Sequence, residues 1–360
     1  MKKLLSVILS LLFLVNYIPV HATTYVDPDT GDVYTFYDGD GAYKDPETGV
    51  VYIYEENDDG GRTIIDIMFN DSDAEYGSIN LLIPDSIDGV PVTILKGRFE
   101  SDYIRSIEIP ASVVEINTYN SFGTNYLERL TFADNSQLKK IGSRAFQGIR
   151  IKEITLPDSL EIIDDYAFFC AQLETVHFGS NLQRIGKYAF SKTKLADVII
   201  PDNVTEIDDY AFAECTHKVT EVYEDGYERT YDVSSIENLR LGRNVKTIGY
   251  EAFAESALTS VAFPSSIENI AQKAFYRSYD LEEITFSEPC SPAFTELNGF
   301  DHCNITSVEI PSTIETIGNN AFERNAITSL TIPANVTRIG RMAFYRNPIS
   351  SLTISESGGE

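Results

Sequence analysis

Ile154-Thr-Leu-Pro-Asp-Ser-Leu-Glu-Ile-Ile-Asp-Asp-Tyr-Ala-Phe168 is restated, apolar position for apolar position, as Val308-Glu-Ile-Pro-Ser-Thr-Ile-Glu-Thr-Ile-Gly-Asn-Asn-Ala-Phe322. Further copies end at Phe146, Phe190, Phe212, Phe253, Phe275, Phe300 and Phe344, and the commonest step is 22 residues. A fixed short period specifies a solenoid. Each repeat is one supersecondary unit that buries its apolar face only by stacking on its neighbours. Such an architecture biases function towards binding over an extended surface.

Within a repeat the parts separate. Leu173-Glu-Thr-Val-His-Phe178 alternates apolar and polar residues, as a strand with one buried face does. Pro157, Pro201, Pro311 and Pro333 follow such strands and, lacking an N–H, end the ladder. A second apolar pair comes next, such as Val204 and Ile207. Gly186, Gly249, Gly318 and Gly340 are expected to supply a tight turn, and Ala-Phe to fill the coil interior. The expected fold class is an α/β-type repeat solenoid. It has one parallel β-sheet, with short helical or irregular segments on the opposite face.

The recurring x-Ile-Pro-x-x-Val-x-x-Ile-Gly-x-x-Ala-Phe-x-x-Cys-x-x-Leu pattern resembles the BspA-like leucine-rich repeat family, over residues 77–355. The resemblance implies a right-handed leucine-rich-repeat coil in a secreted or surface-exposed protein, often one that adheres to host proteins or other cells. Two copies depart from the pattern. Asn120-Ser-Phe122 replaces the glycine and alanine after Pro110, and the copy from Phe286 to Phe300 has extra residues.

Outside the repeats, residues 1–22 read as a secretory signal peptide: Lys2 and Lys3, an apolar run from Leu4 to Val15, and Val20-His-Ala22 as the cleavage site. No later stretch is long and apolar enough for a membrane span. Residues 23–76 read as an acidic, hairpin-rich N-terminal capping region. There Asp27-Pro-Asp-Thr-Gly31 is repeated as Asp45-Pro-Glu-Thr-Gly49, with 11 acids and one base between Thr23 and Gly60. These turns fit calcium-loop spacing poorly. Residues 62–68 read as a strand, and Asp88-Gly89 as a lengthened turn in an expanded first repeat. Residues 356–360 form a tail, with neither sorting motif nor anchor, and the last repeat reads as poorly capped.

The formal charge is 28 − 55 = −27, which disfavours nucleic acid and anionic membranes as partners. Of the four cysteines, Cys215 and Cys303 stand three residues after a repeat phenylalanine and read as buried thiols. Cys170 and Cys215 lie about two coils apart, near 10 Å and too far to bridge. Cys290 and Cys303 close a short loop, and the sequence leaves them open between a bridge and two thiols.

No catalytic motif stands out among the four histidines and the glycine-rich stretches, and neither a cofactor nor a metal is expected. Asp164-Asp165 and Asp208-Asp209 read as solvated turns. The expected role is non-catalytic binding of host, cell-surface or matrix proteins, or of glycans. The competing reading is a spacer within a larger surface protein. Three places are candidates for contact. The outward strand positions carry His177, Ile199 and Arg240. An insertion at residues 216–238, read as a hairpin turning at Asp225-Gly226, carries Tyr223, Tyr227 and Tyr231. A basic line runs through Arg277, His302, Arg324 and Arg346, which Asp280 and Glu323 stand close enough to neutralise.

Overall fold

The computed structural model describes residues 23–26, 33–36, 40–46, 48–68, 75–99, 102–117, 122, 126–222 and 227–355. The chain winds as a β-solenoid. Its axis is marked by a file of phenylalanines from Phe99 through Phe122, Phe146, Phe168, Phe190, Phe212, Phe253, Phe275, Phe300 and Phe322 to Phe344. Successive ring centroids lie 4.9 to 5.5 Å apart. Around this file, Ile, Leu, Val and Ala side chains from every coil form one continuous core.

Each coil has three sides, and backbone hydrogen bonds on these sides hold it to the next coil, the strand column being paired in short groups of two or three coils. The first is the expected strand column, with an exposed–buried–exposed pattern at Glu153–Thr155, Thr175–His177 and Asp197–Ile199. The second was expected only as an apolar pair. It is the longest sheet among the described residues: two-residue strands such as Ile162–Ile163, Arg184–Ile185 and Glu206–Ile207 pair in parallel from one coil to the next. A single inward isoleucine per strand suffices, because it stacks on its copies above and below.

The third side corrects the expected α/β character. No helix occurs among the described residues. In Asp164–Cys170 the N–H groups of Ala167 and Phe169 donate to carbonyls three residues back, while those of Tyr166, Phe168 and Cys170 donate to Lys187, Ala189 and Ser191 of the next coil. Tyr166 and Cys170 adopt φ of 59° and 58°. A left-handed residue at every fourth position interrupts any run of helical dihedrals, so the segment is a chain of single turns laddered between coils. The same two positions recur as Tyr188 and Lys192, Tyr210 and Glu214, Glu251 and Glu255.

The glycine expectation also changes. Gly186 is needed for close approach: a Cβ there would lie 2.8 Å from backbone atoms of Asp164 and Asp165 in the preceding coil. Aspartates stitch coils on the outside. Asp158 and Asp202, each following a repeat proline, accept the backbone N–H of Ser180 and Arg243, and Asp165 accepts that of Lys187.

At the N-terminal end, Thr23–Val26 pairs antiparallel with Val33–Phe36, and Asp40–Lys44 with Val51–Glu56. Arg62–Met68 joins that second hairpin to the long sheet, pairing antiparallel with Val51–Glu56 and parallel with Val90–Arg98. The Asp45 turn is closed by its own carboxylate, which accepts the Thr48 N–H at 2.8 Å. Asp88 and Gly89 both have positive φ and turn Ser86–Ile87 back onto Val90. All four cysteines are free thiols, Cys290 and Cys303 included. Burial pushes Cys215 up to about 11 and Cys303 higher still, so neither is a ready thiolate.

Candidate binding surface

The strand column places His177, Ile199 and Arg240 at equivalent outward positions of consecutive coils. Thr155 is in register with His177, and Ile199 with Arg240. Val198 between them is buried, and this alternation forces Ile199 outward, where it is 59 % exposed. His177 Nε2 lies 3.3 Å from Glu153 Oε1, and Asn238 donates to Asp197 at 2.7 Å. The result is a mixed face: one apolar side chain flanked by a cation and an imidazole.

The insertion is a hairpin, as expected. Thr216–Val222 pairs antiparallel with Glu228–Ser234 over seven residue pairs, and among the described residues these strands form a sheet of two. His217 opposite Val233, Val219 opposite Tyr231 and Glu221 opposite Arg229 share one face. Lys218, Thr220, Asp232 and Thr230 share the other. The Tyr231 hydroxyl donates to Glu221 at 2.6 Å, and Tyr227 is 64 % exposed. Val219, Tyr231 and Val233 are not among the side chains packed on the solenoid core. Tyr223 and the Asp225-Gly226 turn lie outside the described residues.

The basic line is assembled as expected. Arg277, His302, Arg324 and Arg346 all occupy the second left-handed position of their turns, and the N–H groups of the first three donate to the next coil. Glu323 neutralises Arg324 at 3.6 Å, and the neighbour of Arg277 is Glu255 at 3.4 Å rather than Asp280. Arg346 lies over the Tyr345 ring. The paired aspartates are likewise ion-paired: Arg184 reaches Asp164, Asp165, Glu206 and Asp208, and Lys187 reaches Asp209 at 2.9 Å.

One feature went unseen in the sequence. Arg129–Phe132 pairs only with Ile104–Ile109, and Glu153–Thr155 only with Thr175–His177. The two coils remain joined on their other sides, through Ile141 and Ile163 and through Phe146 N–H to Ala167. On the strand side, an open concavity of about 1210 Å³ lies between them. Arg129, Arg150, Lys152 and His177 line it, and Tyr126 stands at its margin, stacked 5.5 Å from Tyr76. Tyr103 and Tyr126 hold the same repeat position, so an aromatic column was the available signal.

These features define a class: a parallel β-solenoid of leucine-rich-repeat type with an appended hairpin. The model of the BspA type leucine rich repeat region, in six copies, matches residues 92–218, 227–297 and 293–359, and the chain belongs to that family. Among solved structures, the pneumococcal vaccine antigen PcpA is similar at 21 % identity over 88 % of this chain and 82 % of that one, with a TM-score of 0.50. A leucine rich cell surface protein from Faecalibacterium prausnitzii is 26 % identical over 88 % and 95 %, with a TM-score of 0.36. A leucine-rich repeat protein from Bacteroides ovatus is 20 % identical over 86 % and 91 %, with a TM-score of 0.42. No curated protein matches the chain.

Proposed function

We propose that this chain is an extracellular or cell-surface binding protein, exported by the leader at residues 1–22, and that its inserted hairpin is the principal contact site for a surface or matrix protein. The observation that carries this reading is the hairpin's independence. It breaks the 22-residue period, and among the described residues its strands form a sheet of two, tied to the stack at its base by the Thr216 N–H to the Thr193 carbonyl, while carrying Val219, Tyr227 and Tyr231 outside the core. Tyrosines offer large, stiff amphipathic contact area at low entropic cost, which is why they anchor interfaces. Membership of the BspA type leucine-rich repeat family supports the location. The test is binding to an immobilised extracellular-matrix extract by the parent chain, and by a chain with residues 218–233 replaced with a short Gly/Ser link. Equal binding by the two would move the site to His177, Ile199 and Arg240.

A further inference from the structure

The concavity between Arg129–Phe132 and Glu153–Thr155 is bordered by an aromatic platform. Tyr76 stacks on Tyr103 at 5.4 Å and on Tyr126 at 5.5 Å, with 9° and 8° between the ring planes. Tyr76 is nonetheless 65 % exposed and Tyr126 43 % exposed. Rings held in this way present apolar area with little side-chain freedom left to lose on binding. Arg129 and Arg150, both exposed, line the same concavity and form no ion pair with any described residue. Their neighbours Arg105, Lys152 and His177 are engaged by Glu128, Glu174 and Glu153 at 2.8, 3.0 and 3.3 Å.

Charge, spacing and size identify the occupant. Arg129, Arg150 and Lys152 line the concavity together with four carboxylates, Glu128 and Glu153 among them. In a protein of formal charge −27, a site so balanced gives a polyanion no attractive field. A guanidinium donates, and a carboxylate engaged through one oxygen still accepts, so the lining suits groups that do both, as hydroxyls do. A peptide strand has no room between the two coils. Cα atoms of Arg129–Phe132 and Glu153–Thr155 approach within 8 Å, whereas a third strand between them would need about 9.5 Å. The volume, about 1210 Å³, exceeds the roughly 300–1,000 Å³ of a small-molecule pocket, so several linked units fit. We propose that this concavity binds an uncharged polysaccharide, its sugar rings packed against Tyr76 and Tyr126 and its hydroxyls hydrogen-bonded to Arg129, Arg150, Glu128 and Glu153. This site is separate from the hairpin, and the inference is independent of the role given to it.

The experiment is affinity electrophoresis of the full chain through gels holding β-glucan, xylan, mannan or galactan in turn, at low and high salt. Polygalacturonate and polyglutamate serve as the acidic-glycan and acidic-peptide comparisons. The expected result is retardation by at least one neutral polysaccharide, equal at both salt concentrations, and by neither polyanion. Arg129→Ala with Arg150→Ala changes only exposed side chains without ion pairs. It should keep the melting transition and weaken retention at least tenfold, about 1.4 kcal/mol. Tyr76→Ala should weaken it comparably. Free passage through every neutral polymer would overturn the proposal. So would retention that survives both variants, or tighter retention by polygalacturonate or polyglutamate.

Discussion

The Phe190 ring lies 5.3 Å from that of Phe212, with 6° between their planes, although 22 residues separate them in sequence. Both are fully buried, and Phe168 packs on the other face of Phe190 at 5.0 Å. One phenylalanine therefore fills the interior of its own coil and supports two others. Phe190→Ala should cost about 3–5 kcal/mol, from lost burial and the cavity left behind. Chemical denaturation measures this, and a loss below about 1 kcal/mol would remove Phe190 from the load path of the stack.

Two glycines separate the two reasons for glycine in this fold. At Gly186 an added Cβ meets backbone of the preceding coil at 2.8 Å, and backbone cannot swing aside. Gly186→Ala should cost about 1–3 kcal/mol through forced separation of coils. At Gly148, with φ of 71°, nothing lies within 4 Å of the added Cβ. Gly148→Ala should cost only the left-handed conformation, about 1 kcal/mol. Urea titration of both variants checks the order. An equal or reversed ranking would contradict the close-approach explanation.

Acid should loosen the outer stitching. Ser180 donates to the Asp158 carboxylate, and Arg243 donates to that of Asp202 through its guanidinium and its backbone N–H. Both carboxyls are held below the usual range. A group that binds its proton more weakly when folded stabilises fully above its unfolded value, about 3.9, and loses that contribution as pH falls through its depressed folded value. The parent should therefore lose melting temperature more steeply below about pH 4 than Asp158→Asn with Asp202→Asn, in which nothing titrates at these positions. Parallel slopes for parent and variant in that range would show that these aspartates do not couple to folding.

Much of this fold is legible because its cause is periodic. Phe146, Phe168 and Phe190 recur at the spacing that stacks them, and the alternation around Val176 and Val198 assigns inward and outward sides of the strand column. The hairpin is legible as a break in the same period. What was missed depends on contacts between coils, which spacing alone does not express. Ile163 and Ile185 form a continuous sheet because each two-residue strand meets its copy, a length too short to signal a strand in one repeat. The left-handed φ of Tyr166 and Cys170 runs against residue preference and is imposed by the hydrogen bonds of the stack. The concavity beside Tyr126 lies at one of the places where the strand column is not paired from coil to coil while the two-residue strands are.

The central claim is that the stack carries stability while the hairpin carries contact. The most direct measurement is paired: the melting transition, and affinity for the immobilised matrix extract, of the parent and of the chain with residues 218–233 replaced by a Gly/Ser link. The account predicts an unchanged transition and binding weakened at least tenfold, about 1.4 kcal/mol. Unweakened binding, or a transition that collapses with the hairpin, would contradict it.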